Sequence, residues 1–351
     1  MAYTTINKGT AYFKSNPYTG TGSSMSVTGV GFRPDWLWIK TRNATNSSHI
    51  VDVVRGNGQA LASDLTNAQY SSGVTSFDSD GFSLVGNTGA VNNGNGSTTY
   101  SALNWLAGGS QGSSNTDGSI NTTYTSVNTT AGFSISQYNG NGSAGASIGH
   151  GLGAKPAVIV IKRLDASSTW RTYHKSLGAT KNVPFENGSV LDQDVIFNDT
   201  EPTNQVFTIG TTTDVNASGG TNIAYCFTEK VGYSRFGDYT GNGSTDGPII
   251  YTGFKPAMVY VKNTSATANW VSTDNGISFN GKGSNESTCL FPSSTSSESD
   301  AYGLQLYSNG FAFKGGDSAS ATVNASGNIY IYWAIAEVPI VGTNGTPATA
   351  R

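Results

Sequence analysis

The stretch GFRPDWLWIK, Gly31 to Lys40, places two tryptophans, a leucine and an isoleucine side by side at Trp36–Ile39, in a chain that is otherwise rich in Gly, Ser, Thr and Asn. Successive side chains of a strand point to opposite faces, so this run is apolar on both faces. Such a run predicts either a central strand covered on both sides or an exposed aromatic surface that binds a ligand. Pro34 before the run fits the start of a strand, where its missing N–H costs least.

The same frame occurs twice more, as AKPAVIVIK (154–162) and FKPAMVYVK (254–262) beside FRPDWLWIK (32–40). In every copy a basic residue precedes Pro, and Lys follows six positions after it. A turn precedes each frame, as YTGTGSS (18–24), YNGNGSA (138–144) and YTGNGST (239–245). Val-Asn follows at 91–92, 215–216 and 323–324, before the aromatic strands TYSALNW, IAYCFTE and IYWAIAE. Several landmarks in one fixed order indicate three homologous repeats.

The repeats are of β-sandwich size, and frequent Gly, Asn and Ser between short apolar runs are typical of all-β proteins. The predicted fold is therefore all-β, with three tandem homologous antiparallel β-sandwich repeats of lectin-like or jelly-roll-like type. Their predicted bounds are residues 1–109, 131–230 and 231–351. The Gly- and Ser-rich stretch 110–130 between the first two is expected to be a linker or a long exposed loop.

The three copies allow the two faces of the opening stretch to be compared. One face stays aliphatic, as Leu37 and Ile39 become Ile and Ile, then Val and Val. The other face, with Trp36 and Trp38, becomes Val and Val, then Met and Tyr. An apolar face that changes in size predicts a covered strand rather than a ligand platform. We expect the variable face to pack between repeats or between subunits.

The composition argues against several classes of function. The 19 Lys and Arg are spread along a chain of net charge −3, without a basic cluster for nucleic acid. The sequence predicts no membrane insertion, no signal peptide, no metal site and no cofactor, because the corresponding patterns are missing. The histidines His49, His150 and His174 stand near no nucleophile with a helper, so we predict no enzymatic activity.

Two further expectations concern single positions. Cys226 aligns with Ala102 and Ala334, a small strand position that favours a buried, inert thiol over a nucleophile. Glu229 and Glu337 share one repeat position, where the first copy has Trp105. We expect these two acids to pair with the base before proline, which is Arg33, Lys155 or Lys255 depending on the copy.

Four stretches carry a resemblance to a known family: YHKSLGATK (173–181), DVNASGGTNIAYCFTE (214–229), YTGNGSTDGPIIYTGFKPAMVYVK (239–262) and NASGNIYIYWAIAE (324–337). With them the chain resembles a family of virion proteins of marine bacteriophages, over nearly its whole length. The resemblance implies a tail-fibre or other structural protein that is assembled in the host cytoplasm and exposed on the virion surface. We expect other virion proteins as partners, a host surface glycan or protein as a further partner if the role is receptor binding, and a homo-oligomer.

Three hypotheses follow. The first is a tail fibre or receptor-binding appendage; the second is a capsid decoration protein; the third is an appendage that cleaves polysaccharide. Under the first, variable residues after the central strand would face outward: Ser48 and His49, then Trp170, Tyr173 and His174, then Trp270 and Asp274. Trp170, Tyr173, His174 and Trp270 are the predicted receptor contacts, and packing of these hairpins on the next repeat is the alternative.

Overall fold

A computed structural model of the chain describes residues 4–277, 287–315 and 319–341, so part of the predicted third repeat, including its last ten residues, lies outside the described residues. The described fold is all-β, with antiparallel sheets and very little helix. The helices are a 3-10 turn at Gly9–Ala11 and two short α-helices, α1 (Asp194–Phe197) and α2 (Thr213–Asn216).

We divide the strands into three chain segments. Segment 1 (residues 13–105) holds β1 (Phe13–Thr19), β2 (Met25–Thr28), β3 (Trp36–Thr41), β4 (His49–Asp52), β5 (Gln59–Ala60), β6 (Tyr70–Ser71), β7 (Val74–Asp78), β8 (Gly81–Leu84) and β9 (Thr99–Trp105). Segment 2 (residues 122–227) holds β10 (Thr122–Asn128), β11 (Phe133–Asn139), β12 (Ala146–Gly149), β13 (Val158–Arg163), β14 (Arg171–His174), β15 (Lys181–Asn182), β16 (Leu191–Asp192), β17 (Val206–Ile209) and β18 (Thr221–Phe227). Segment 3 (residues 234–339) holds β19 (Ser234–Thr240), β20 (Ile250–Tyr251), β21 (Phe254–Asn263), β22 (Val271–Asp274), β23 (Ser287–Cys289), β24 (Ser299–Tyr307), β25 (Gly310–Phe313) and β26 (Ile329–Pro339).

Each segment contains a main sheet in which four strands lie in the same order: the strand that leads into the turn, the last strand of the segment, the frame strand and its hairpin partner. These sheets are β1-β9-β3-β4, β11-β18-β13-β14 and β19-β26-β21-β22. We call residues equivalent when they occupy the same place in these strand registers. In segment 2 the main sheet gains β10 as a fifth strand, paired with β11. The expectation of a linker or exposed loop over 110–130 is therefore wrong for β10, which lies at the edge of a sheet.

A smaller sheet covers one face of each main sheet, with order β2-β8-β7, β12-β17 and β20-β25-β24-β23. Leu37 and Ile39 lie in the core shared with the first of these sheets, against Phe82. Ile159 and Ile161 lie in the corresponding core of segment 2. The aliphatic face of the frame strand is thus buried as predicted.

The other face of the frame strands is buried in a core that is common to all three segments. Trp36 and Trp38 are each 1% exposed, so the prediction of a covered strand is confirmed and the exposed platform is excluded. The Trp36 ring lies 4.9 Å from Tyr225 of segment 2 and 6.3 Å from Trp333 of segment 3. The three main sheets therefore pack against one another through aromatic side chains.

The turn and the Val-Asn motif of each copy are joined by one recurring set of contacts. Tyr18, Tyr138 and Tyr239 donate their hydroxyls to the carbonyl oxygens of Val91, Val215 and Val323, at 2.7, 2.8 and 2.5 Å. The following asparagine is fully buried in every copy. Its side-chain oxygen accepts from backbone N–H groups of the turn, and its Nδ2 donates to the carbonyl oxygen of the turn's serine. This asparagine holds the turn closed, which explains why the two motifs recur together.

Candidate functional site at the junctions between segments

The predicted receptor contacts Trp170, Tyr173, His174 and Trp270 are buried, with exposures of 0%, 0%, 2% and 3%. The expectation that they face outward is wrong. Trp170, β14, Trp270 and β22 lie where one segment packs on another. His174 contacts the next segment, at Tyr332, whereas Trp170 and Trp270 contact the previous one. Tyr173 lies in the core of its own segment, with its hydroxyl on Glu201. The alternative of packing on the next segment therefore holds for His174 only, and none of the four has an exposed side chain through which to contact a receptor.

The two tryptophans of this set make the same bond at two junctions. Trp170 donates its indole N–H to the carbonyl oxygen of Ala62 in segment 1, at 2.9 Å. Trp270 donates to the carbonyl oxygen of Pro184 in segment 2, also at 2.9 Å. Ser48, the equivalent residue of segment 1, has its hydroxyl 3.5 Å from the carbonyl oxygen of Pro292 in segment 3. These contacts run from segment 2 to 1, from 3 to 2 and from 1 to 3, so they form a closed cycle.

A second cycle runs in the opposite direction through the last residue of each hairpin strand. Asp52, His174 and Asp274 are equivalent, because they pair with Trp36, Val158 and Met258. Asp52 accepts a hydrogen bond from the hydroxyl of Tyr225 at 2.7 Å. His174 Nε2 lies 3.2 Å from the carbonyl oxygen of Tyr332. Asp274 accepts a hydrogen bond from the hydroxyl of Ser101 at 3.0 Å. Segment 1 thus contacts 2, segment 2 contacts 3, and segment 3 contacts 1.

The electrostatics of this position differ among the three segments. Asp52 forms an ion pair with Arg55 at 2.6 Å, and both side chains are buried. Burial raises the pKa of Asp274, although its carboxylate accepts from Ser15, Ser101 and two backbone N–H groups. Burial lowers the pKa of His174 to about 4, so its imidazole is neutral near pH 7 and Nε2 carries the proton donated to Tyr332. Chemically different residues therefore occupy the equivalent position at the three junctions.

The lysine that ends each frame strand is also buried and makes one contact three times. Lys40, Lys162 and Lys262 donate to the carbonyl oxygens of Asn46, Ser168 and Ala268, each six residues later, at 2.7, 2.7 and 2.5 Å. Lys162 also donates to Thr66 of segment 1 at 2.9 Å. Burial lowers the pKa of each lysine to about 8. Each lysine thus holds the loop between the frame strand and its hairpin partner, which explains why Lys recurs at this position of the frame.

The histidines and cysteines are buried inside the protein. Burial lowers the pKa of His49, His150 and His174 to about 4. Cys226 and Cys289 are buried thiols without a disulfide, and burial raises the pKa of both. Among the described residues there is no cluster of three or more His, Cys, Asp or Glu side chains placed to hold a metal ion. None of the described helices has the length and apolar character needed to cross a bilayer.

The expected pairing of the repeated glutamate with the base before proline holds in one copy. Lys255 and Glu337 form an ion pair at 3.0 Å. In segment 2 the prediction is wrong, because Lys155 pairs with Glu201 and Glu229 pairs with Lys175. Glu201 lies in a loop that comes close to the start of the frame strand in space. Comparison of the three sequence motifs does not predict this contact.

The strand registers also correct two equivalences. Ile159 pairs with Cys226, Val259 with Ala334 and Leu37 with Asn104. Cys226 is therefore equivalent to Asn104 rather than Ala102, while its equivalence with Ala334 and its burial are confirmed. By the same shift of two, the first-copy counterpart of the glutamates is Ala107 rather than Trp105. A shift of two keeps each residue on its face, so the apolar pattern alone does not reveal it.

Sequence reasoning named His174 and Asp274 as outward-facing residues, with packing of their hairpins on the next repeat as the alternative, but it missed Asp52 and the equivalence of the three positions. The residue types differ, so no motif marks the position. The available signal was the spacing, because each lies 16 residues after its strand partner in the frame. The asparagine of the Val-Asn pair was recognised as a recurring motif. The sequence did not predict that its side chain hydrogen-bonds to the turn that precedes the frame.

The fold and these junctions define a class of all-β protein in which three sheets of equivalent strand order close on one another. The chain belongs to the family described as Domain of unknown function (DUF7483), whose sequence profile matches residues 8–339. Comparison with curated proteins and with solved structures gave no significant match.

Proposed function

We propose that the chain is a non-enzymatic structural protein of a bacteriophage virion, a tail-fibre tip or receptor-binding appendage that contacts the host surface. In this proposal it consists of three homologous β-sandwich repeats, 1–109, 131–230 and 231–351, closed into a ring by the two cycles of contacts. It lies on the virion surface, with other virion proteins and a host glycan or protein as partners. The location on a virion rests on the sequence resemblance. The contacts that close the three segments on one another support a structural role.

The observation that carries the proposal is the cyclic use of equivalent positions. Asp52, His174 and Asp274 each reach the next segment, and Trp170 and Trp270 each reach the previous one. A single chain then has the closed contacts that a ring of three subunits would have. Such a body holds its surface loops in fixed relative positions, which suits an appendage that must bind without folding on contact.

The histidines and cysteines support a structural rather than a catalytic role. Their burial keeps the imidazoles neutral and the thiols protonated near pH 7. A general base or a nucleophile needs access to its substrate and a pKa near the working pH. These side chains instead fill the cores and junctions.

The same cycles favour a second candidate, a capsid decoration protein. A ring of three equivalent segments is suited to a local threefold axis of a capsid, where each segment would face the same neighbour. In that role the protein would coat the head in many copies. A homo-oligomer remains a prediction for either role, and sedimentation of the purified chain tests it.

Gold-labelled antibody against the chain, applied to intact phage, tests the proposal and separates its two forms. Label at the distal end of the tail is the expected result, and label spread over the head would favour decoration. Purified chain should also compete with phage for adsorption to host cells. Virions without label, together with phage adsorption unaffected by excess chain, would overturn the appendage.

A further inference from the structure

An open cleft lies at the surface between segment 1 and the stretch that leads into segment 2. Its volume is about 530 Å³, within the range of small-molecule sites. The cleft is bordered by the start of the frame, the turn after β4, the end of β7 and residues 109–111. None of the described residues that line it is acidic, and two of them are arginines, Arg33 and Arg55.

The two arginines differ in what they can offer a ligand. The Arg55 side chain is 1% exposed, and its Nε and Nη2 are held by Asp52 at 2.6 Å and by the carbonyl of Ile50 at 3.0 Å. Arg33 has a side chain that is 37% exposed. Its guanidinium carbon stands 5.7 Å from the centre of the Phe77 ring, and Nη1 donates to the carbonyl of Gly109 at 2.7 Å. Nη2 and Nε have no partner among the described residues.

The carboxylate nearest to Arg33 is already in use. Asp35 is fully buried and lies 3.4 Å from Arg33 Nη1. Its other oxygen accepts from the backbone N–H groups of Ala107 and Gly109, at 2.8 and 2.7 Å. Asp35 therefore braces the edge of the cleft from inside and leaves the outer edge of the guanidinium to the cleft.

The equivalent cations show that this arrangement belongs to segment 1. Lys155 is paired with the carboxylate of Glu201 at 2.7 Å, and Lys255 with that of Glu337 at 3.0 Å. Each of those acids lies on the surface beside its lysine, whereas the acid beside Arg33 is buried. Of the three, Arg33 is the base that is fixed in place with donors turned to an acid-free cleft.

The neutral groups beside Arg33 suit the hydroxyls of a sugar. The Nδ2 of Asn57 is held by the carbonyl of Thr75 at 2.6 Å, which orients its side-chain oxygen. The Nε2 of Gln111 is held by the carbonyl of Val54 at 2.7 Å and leaves its oxygen as an acceptor. A guanidinium edge beside amide acceptors matches a ring that carries both an anionic group and hydroxyls.

We propose that the cleft at Arg33 binds an acidic saccharide, with the sugar's anionic group on the outer edge of the Arg33 guanidinium. The inference rests on the proposed receptor-binding function for its biological ligand, which would be an acidic host-surface glycan. The shared chemistry is an anion on a sugar ring, and its source is either the carboxylate of a uronic acid or a sulfate ester.

Titration of the full-length purified chain with three oligosaccharides tests the inference: a galacturonate oligomer, a sulfated galactose oligomer and a neutral galactose oligomer of equal length. At low ionic strength we expect an acidic oligomer to bind and the neutral one to bind at least about tenfold more weakly. Whichever acidic oligomer binds more tightly shows whether the site prefers a carboxylate or a sulfate. Equal or no binding by all three would overturn the inference.

Arg33→Gln should weaken binding of the acidic oligomer by about tenfold or more. Lys155→Gln, at the equivalent position of segment 2, should leave that binding unchanged. Ser110→Asp provides a second variant, because Ser110 is exposed and the new charge repels an anion without removing an internal contact. Acidic-oligomer binding unchanged in both Arg33→Gln and Ser110→Asp contradicts the site. This assay uses purified protein, so a chain missing from virions would remove the proposed function while leaving the saccharide result intact.

Discussion

The carboxylate of Asp274 accepts a hydrogen bond from the hydroxyl of Ser101, at 3.0 Å, across 173 residues of sequence. This contact joins the last segment of the chain to the first. Asp52 and His174 make the equivalent connections between the other segments. The chain is therefore closed on itself through side chains that are buried and hydrogen-bonded, and the predictions below test that closure.

Asp274→Ala should destabilise the protein by about 3 kcal/mol or more, because it leaves the buried donors of Ser15 and Ser101 without an acceptor. Ser101→Ala should cost about 1 kcal/mol, since it removes one bond. Urea denaturation measures both, with the exposed Ser218→Ala as the control that should be neutral. An Asp274→Ala protein that unfolds at the wild-type urea concentration would contradict the closure.

Trp170→Phe and Trp270→Phe should each destabilise the protein by about 1–2 kcal/mol, because the carbonyls of Ala62 and Pro184 lose their indole donors. Binding to host cells should be unchanged, since both side chains are buried. Thermal unfolding and binding of labelled protein to cells are measured on the same preparations. Lost binding at wild-type stability would restore these tryptophans as receptor contacts.

Asn216→Ala should cost about 2–4 kcal/mol, because the turn at Asn141 and Gly142 loses the acceptor for its N–H groups. Asn92→Ala and Asn324→Ala should cost a similar amount if the three copies are built alike. Asn204→Ala, at an exposed position outside the motif, is the comparison variant and should be neutral. A loss in one copy and none in the other two would argue against a common turn.

Stability should rise with pH between about 8 and 10 because of Lys40, Lys162 and Lys262. Their pKa is lowered by burial from 10.5 to about 8, so in this window the unfolded chain binds more protons than the native one. Above about pH 9 the rise should weaken, because the buried thiols of Cys226 and Cys289 have a raised pKa and keep protons that the unfolded chain loses. Above pH 10 the trend should reverse, because buried tyrosines such as Tyr138 have a raised pKa and keep their protons when unfolded tyrosines lose theirs. Urea denaturation across this range measures the effect.

Lys162→Met should flatten part of that rise, and Lys8→Met, at an exposed position, should leave it intact. A wild-type protein whose stability falls steadily from pH 8 to 10 would show that the three lysines do not have the lowered pKa.

Cys226 and Cys289 should resist a water-soluble thiol reagent in the native protein and react fully after denaturation. Both are buried, and burial raises the pKa of their thiols, which leaves little reactive thiolate. The absorbance of the released chromophore, followed with and without guanidinium, counts the reactive groups. Rapid reaction of Cys226 in native protein would contradict its place in the core.

The sequence carried much of the fold, because burial on both faces of the frame strand left an apolar pattern that could be compared among copies. Comparison of the three frames predicted Leu37 and Ile39 as core, and Trp36 and Trp38 as packing between repeats or between subunits; the structure places Trp36 against Tyr225 of segment 2. The junction residues were beyond reach of such comparison. Asp52, His174 and Asp274 do one task with different chemistry, so a pattern of residue types does not reveal them.

The candidate site was harder to predict than the fold. Trp170, Tyr173, His174 and Trp270 have the residue types of a sugar-binding surface, yet amphipathic aromatics are equally suited to a buried junction with one polar contact. Their exposure depends on how the segments pack, which is not a local property. Arg33 was noticed as the base before proline, but its open edge depends on Asp35 being taken up by the backbone of residues 107 and 109.

Quantitative mass spectrometry of purified virions counts copies of the chain against known capsid and tail proteins, and so tests whether it is a virion protein and where it belongs. We expect the chain to be present, in a handful to a few dozen copies per particle. Hundreds of copies would replace the tail appendage with capsid decoration. Absence of the chain from purified virions would contradict the claim that it is a virion protein.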